Sequence, residues 1–194
     1  MSTALELLVE EASGCTRCKL AGLGRTQVVI SRGDPASELM FIGEAPGAEE
    51  DKRGQPFVGR SGRLLDRLVL EEIGLGRDDF FVINVVMCRP PGNRDPEVDE
   101  IAACRPWFDR KLELASPRAI VTLGNFSTKL LLGTKEGITK LRGRTYPYRG
   151  AVLIPTFHPA AVLRGGAEQM AQMRADLVRA KQLLGLAHSA TGSS

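Results

Sequence analysis

Four cysteines fall into two pairs, Cys15-x2-Cys18 and Cys88-x15-Cys104. A CxxC turn sets two thiolates on one metal, and the second pair falls on a loop and on the helix that follows it. Three states compete with one another. Disulfides are disfavoured in an intracellular chain, and CxxC is a poor geometry for a staple. Four thiolates suit a structural zinc, and they suit a four-iron cluster equally well, so spacing alone leaves these two tied. Unpaired buried thiols are the plain alternative. Any metal here would pin the N-terminus to the Arg89–Asp95 loop bracketed by Cys88 and Cys104, as a clip rather than a redox catalyst.

Two further residues stand out. Asn84 sits in an apolar run, Phe80-Phe-Val-Ile-Asn-Val-Val86. A strand-end asparagine often caps a turn, but an unpaired buried amide is costly, which favours a ligand-binding role. His158 follows an apolar run and opens His-Pro-Ala-Ala-Val-Leu-Arg. A single histidine at such a place is commonly structural, yet a position between a strand and a helix directs it to the ligand-binding edge of a sheet.

The elements that must position these residues are legible from periodicity. Residues 3–13 read as a helix ending at Gly14, and 39–42 as a short buried strand. Leu64, Leu65, Leu68 and Val69 recur at helical spacing, so 61–73 is a helix closed by Gly74. A second strand spans 80–86, a helix 97–114, a third strand 119–123 and a helix 125–132. A strand pair is expected around 144–155 and a long helix over about 168–185. Alternating strands and helices predict an α/β fold, a three-layer α/β/α sandwich whose mainly parallel sheet has about four strands. One domain over 1–187 is expected, with 188–194 as a frayed tail. The segments Gly43–Gly47, Asn84 onward and His158-Pro159 should then meet beyond the carboxyl ends of the strands.

Bulk properties narrow the classes. The 194 residues suit one domain with a real core, with 43% hydrophobic and 25% charged residues. No apolar run reaches the roughly 18 residues of a membrane span. The acidic, amphipathic N-terminus (Leu5, Leu7, Leu8, Val9, Glu10, Glu11) is unlike a secretory signal. An intracellular, cytoplasmic protein and no membrane partner are expected. The net charge of +3 does not by itself point to nucleic acid, although a local basic stripe can bind a phosphate backbone. Lys140, Arg142 and Arg144 form such a patch, with a solvated surface as the default reading. Gly59-Arg-Ser-Gly62 precedes a helix, where Ser61 could serve as N-cap and the amides could bind phosphate.

In order along the chain come Cys15-Thr-Arg-Cys18, Gly43-Glu-Ala-Pro-Gly47, Gly54-Gln-Pro-Phe-Val-Gly-Arg-Ser-Gly62, Asn84-Val-Val-Met-Cys-Arg-Pro-Pro-Gly-Asn-Arg94, Cys104, Leu123-Gly124 and Phe157-His-Pro-Ala160. In that series the chain resembles the uracil-DNA glycosylase superfamily, and within it the iron–sulfur family 4, over roughly residues 5–185. The resemblance implies a DNA-repair glycosylase that flips uracil from single- or double-stranded DNA and hydrolyses its N-glycosidic bond. It breaks the metal tie in favour of a 4Fe-4S cluster on Cys15, Cys18, Cys88 and Cys104. It also implies a monomer, and leaves a sliding-clamp contact open.

The resemblance assigns roles. Phe57, stiffened by Pro56, would stack on the flipped ring; without the resemblance, a core role is as good a reading. The Asn84 amide would pair with uracil O4 and N3–H and reject cytosine. Gly43 and Gly47 would bring backbone close to the base. His158 would donate to uracil O2 as negative charge develops there. Family 1 relatives carry an aspartate where this chain has Ala45 and a tyrosine where it has Gly47. The usual water-activating group and thymine barrier are therefore missing. Glu44 is the candidate for excluding the thymine methyl, and Asn93 for positioning water. Leu163 (or Val162) would be the wedge, with Arg164, Ser61, Arg142 and Arg144 on the DNA backbone; an ordinary amphipathic helix start explains the wedge segment almost as well.

Two other functions compete. One superfamily branch traps the abasic sugar covalently through a histidine-bearing loop after the second strand. The corresponding loop here, Pro90-Pro-Gly-Asn-Arg94, has no histidine, which argues for turnover. A non-catalytic, metal-clipped nucleic-acid-binding or electron-transfer protein would explain the cysteines and basic patch. It would leave Phe57, Asn84 and His158 on one sheet edge unexplained.

Overall fold

The computed structural model describes residues 3–186; the expected tail at 188–194 lies outside them. Five strands form one sheet: β1 (Leu39–Gly43), β2 (Phe81–Asn84), β3 (Ala119–Leu123), β4 (Tyr146–Tyr148) and β5 (Ala151–Thr156). Their order is β2-β1-β3-β5-β4. The first four in that order run parallel, and β4 pairs antiparallel to β5. The sheet has five strands rather than about four because both members of the strand pair expected around 144–155 join it, β4 as a three-residue, partly exposed edge strand.

The helices are α1 (Ala4–Ser13), α2 (Ala48–Arg53), α3 (Arg60–Glu72), α4 (Val98–Ala115), α5 (Asn125–Leu132), α6 (Ile138–Leu141) and α7 (Pro159–Leu184). Strand side chains alternate between the two sheet faces. Met40, Ile42, Phe81, Ile83 and Ile120 pack in one core with Leu8 of α1 and Trp107, Phe108 and Leu112 of α4. Phe41, Val82, Val121 and Ile154 pack in the other with Leu65 and Leu68 of α3 and Met173 and Leu177 of α7. Two separate cores flanking one sheet make the three-layer sandwich.

Local chemistry sets the helix ends. Thr3 caps α1 in a reciprocal capping box with Glu6. Glu97 and Glu100 form the equivalent box on α4. The N-cap of α3 is Gly59, so Ser61 lies inside the first turn and is not the cap. Helix α7 starts at Pro159, well before the expected start near 168, because the chain is already helical before a kink at Gly166 (φ 76°, ψ −161°). The Gly165-Gly166 pair masks that earlier turn in sequence. Helices α2 and α6, of six and four residues, are too short for periodicity to reveal.

Candidate active site

The expected segments meet. A cavity of about 500 Å³ opens beyond the carboxyl ends of the parallel strands, and Glu44, Gly47, Phe57, Ser61, Asn84, Asn93, His158 and Arg164 all line it. Sheet register builds its floor. Gly43 pairs with Asn84 as β1 and β2 end, and the ladder runs on as Val85 N donates to the Gly43 carbonyl and Val86 N to that of Glu44, both at 3.1 Å. A Cβ on Gly43 would overlap Asn84 Oδ1 and come within 2.7 Å of the Phe57 ring. The glycine is thus required by three-way contact rather than by its dihedrals.

Asn84 is 2% exposed and its Oδ1 has no hydrogen-bond partner. An orphaned buried amide end costs about 1–3 kcal/mol whichever way the amide is turned. A site that keeps such a group gains when a ligand supplies the partner.

Phe57 holds a left-handed backbone, φ 55°, which is strained for a non-glycine residue. Three contacts hold it there. Arg32 Nε donates to the Pro56 carbonyl at 3.0 Å. Glu50 Oε1 accepts from Val58 N at 3.0 Å and Gly59 N at 2.9 Å. Gly62 packs where any Cβ would overlap the Phe57 carbonyl. Arg32 is itself buried and fixed by Asp66 and the Arg77 carbonyl. The Phe57 ring, packed with the core on one side, faces His158 with centroids 5.8 Å apart and planes tilted by 34°.

His158 caps α7: its Nδ1 accepts from Ala160 N at 3.1 Å. That bond occupies the Nδ1 lone pair and leaves Nε2–H as the donor of a neutral ring. Burial, reinforced by the Arg164 charge, lowers the imidazole pKa to about 4. The ring is neutral at physiological pH. Gly124, at φ 93°, lets the turn after β3 pass His158, where a Cβ would stand 3.0 Å from the histidine Cβ.

Glu44 shows the opposite shift. Burial, and then the nearby Asp95 carboxylate, raise it to about 7. Asp95 and Glu50 also line the cavity, and neither was anticipated. Glu50 belongs to the Glu49-Glu50-Asp51 run, which reads as a solvated helix face; Asp95 has no signal beyond its neighbourhood to Asn93. Asn93, at φ 56°, accepts from Arg89 Nε at 2.7 Å. The loop carrying Asn93 and Asp95 is anchored by Arg94, whose guanidinium forks onto the fully buried Glu100 at 2.6 and 2.9 Å.

The expected DNA-contacting residues divide. Val162 is 2% exposed and Leu163 44% exposed, so only Leu163 is free to act outside the core. Arg164 and Arg144 are exposed. Arg142 is not part of a surface patch. Its side chain is 15% exposed and pairs with the buried Asp176 at 3.0 Å while donating to the Gln172 carbonyl. A sequence cannot show that an arginine in a Lys/Arg cluster has a buried carboxylate waiting on a distant helix.

All four cysteines are free thiols, and together they line one hollow beside Val86, Met87 and Glu100. No tight group of three or more Cys, His, Asp or Glu side chains at single-ion spacing occurs among the described residues. Side-chain N–H donors reach two of the four sulfurs. Arg25 donates to Cys88 Sγ at 2.8 Å and to the Cys15 carbonyl at 2.5 Å. Trp107 Nε1 lies 3.3 Å from Cys15 Sγ. Such donors suit thiolates that carry charge.

Comparison with known proteins bears on this geometry. Residues 30–180 match the family model of the uracil DNA glycosylase superfamily. The chain is 48% identical over 168 residues to a type-4 uracil-DNA glycosylase of Sulfurisphaera tokodaii, covering 82% of this chain and 76% of that one. A type-4 uracil-DNA glycosylase of Thermotoga maritima is 41% identical over 183 residues, covering 93% and 94%. A type-5 uracil-DNA glycosylase of Thermus thermophilus is 30% identical over 174 residues, covering 79% of each chain.

Proposed function

The chain belongs to the uracil-DNA glycosylase superfamily, and from that membership we propose how its cavity works as a DNA-repair hydrolase acting on an N-glycosyl bond. Uracil leaves the DNA stack and enters between Phe57 and the strand ends. The observation that carries this reading is the orphaned amide of Asn84. A flipped uracil offers it both an N3–H donor and an O4 acceptor, whereas cytosine presents the reverse pattern at those positions.

Catalysis then needs charge stabilisation. As the bond between C1′ and N1 stretches, the sugar becomes cationic and the base anionic. The neutral His158 donates Nε2–H toward uracil O2 and keeps its proton until the base has left. Water adds its oxygen to C1′, and its proton balances the departing base. Free uracil and an abasic site result. Asn93 orients the water, with Asp95 and Glu44 beside it on the cavity wall. Glu44 also crowds C5 and so discourages thymine. Leu163 fills the space left in the stack, and Arg164, Ser61 and Arg144 hold phosphates. The absence of histidine from the Pro90–Arg94 loop supports turnover over covalent trapping.

The cysteine hollow fits a 4Fe-4S cluster held by Cys15, Cys18, Cys88 and Cys104, since all four line it and donors face the sulfurs of Cys88 and Cys15. Bound there, the cluster supplies a cross-link between the N-terminal segment and the loop that bears Asn93. DNA is the partner; the protein acts as a monomer in the cytoplasm. No helix of the described residues is long and apolar enough to cross a membrane.

Asn84→Asp tests the carrying observation. The expected result is loss of uracil release by about 100-fold or more, with affinity for uracil-free DNA retained. Undiminished release would overturn the assignment of Asn84.

A further inference from the structure

Helix α4 carries a lysine where a soluble protein rarely places one. Lys111 is fully buried, on the same face of the helix as Cys104 and two turns along from it. Its ammonium donates to the Ile30 carbonyl at 3.2 Å and reaches the Asn84 carbonyl at 3.5 Å, a long contact. Two neutral carbonyls do not offset the desolvation of a full charge. Among the described residues Lys111 has no ion pair with a carboxylate. Burial lowers its pKa to about 8, and the nearby groups that favour its charge are the sulfurs of Cys104 and Cys88 once ionised as ligands. Lys111 lies behind the lining of the hollow; of the two arginines that line it, Arg17 is exposed and Arg25, which donates to Cys88 Sγ, is only part-buried.

We propose that Lys111 is a positioning residue with two ends: its buried charge is the counter-cation of the cysteine-held cluster, and its contact with the Asn84 main chain couples that cluster to the base pocket. This rests on the reading of the four cysteines as cluster ligands. Four thiolates around an iron–sulfur core carry net negative charge in a low-dielectric setting, so a fixed cation there stabilises the bound cluster and favours its more reduced state. The same side chain steadies the end of β2, where the Asn84 amide must meet the base. A cluster lost from the hollow would leave Lys111 an uncompensated cation against the Asn84 main-chain carbonyl.

The test uses holoprotein purified without oxygen, with iron and sulfide counted first. Lys111→Met removes charge and donor together, while Lys111→Gln removes the charge and keeps a donor. Both variants should shift the cluster midpoint potential to more negative values and shed iron faster under a mild oxidant. Complete loss of iron from a variant with native circular dichroism is the same effect at its limit. For excision, Lys111→Met should lower kcat/KM about tenfold without weakening binding to uracil-free DNA. Lys111→Gln should recover most of that loss without recovering the potential. A wild-type potential in either variant at full iron content would overturn the charge role. Equal excision by Lys111→Met and wild type would overturn the coupling. Wild-type protein holding zinc or no metal would instead defeat the cluster reading itself, a result visible before any variant is made.

Discussion

The base pocket and the cysteine hollow lie at neighbouring points of the same fold and are built on opposite rules. In the pocket, polar groups are left waiting: Asn84 Oδ1 is buried without a partner, His158 is neutral with a free Nε2–H, and Glu44 holds a proton near neutrality. Around the hollow, polar groups are committed. Arg94 is forked onto Glu100, Arg25 onto Cys88, and Lys19 onto Glu97 and Asp99. A ligand site keeps its hydrogen-bonding capacity open for the substrate, whereas the scaffold that fixes its loops leaves little unsatisfied. Dehydrated, unpaired groups are where substrate binding can do most.

The largest expected effect comes from the pocket. His158→Ala should lower kcat by about 100- to 1,000-fold with little change in KM, the signature of a donor used in the transition state; single-turnover kinetics measures it. A drop confined to KM would assign the ring to binding alone.

The titrations sharpen the same contrast. His158 is depressed to about 4, so no activity limb should appear near its ordinary 6.5. Its folded pKa lies below the unfolded value. The unfolded chain therefore takes up the proton first, and the stability contribution present above about 6.5 is lost as pH falls toward 4. Glu44, raised to about 7, should give a limb near neutrality that Glu44→Gln removes. A pH–rate profile identical in the two proteins would free Glu44 from that limb.

The committed network should fail differently. Arg94→Ala strips the partner from the buried Glu100 and should cost about 2 kcal/mol of stability. It should also loosen the Asn93 loop, which a thermal melt alongside KM would register. An unchanged melting temperature would show that the Glu97–Glu100 capping box alone suffices.

The smallest effects separate the two arginines of the basic segment. Arg144→Ala should weaken DNA binding modestly and reduce the salt slope by about 1. Arg142→Ala should leave that slope alone and lower the melting temperature, because the buried Asp176 loses the bidentate one of its two arginines and keeps only Arg179 and the Thr156 hydroxyl. The reverse pattern would return Arg142 to the DNA interface.

Much of this was legible in sequence. Apolar runs and helical spacing located three of the four buried parallel strands and most of the longer helices, since burial on both faces of a parallel sheet forces continuous apolar segments. Asn84 stood out because an amide in such a run needs a reason. Short-range signals could not reveal the rest. Glu50 and Asp95 look like ordinary surface acids until the chain folds them into the cavity wall. Lys111 reads as a solvated helix position, and Arg142 as a surface cation, because the groups that surround each are contributed by distant segments. Glycines gave partial information: Gly43 was expected to bring backbone close to the base, but only the structure shows that Gly43 and Gly62 also accommodate Phe57.

The central claim is that this cavity releases uracil from DNA and rejects the other pyrimidines. The direct measurement incubates anaerobically purified, iron-counted protein with matched strands carrying one uracil, one thymine or one cytosine, and scores abasic sites by alkaline cleavage. The account predicts multiple turnovers on the uracil strand and none on the other two. No abasic product on uracil from metal-loaded protein, or equal release of thymine, would contradict it.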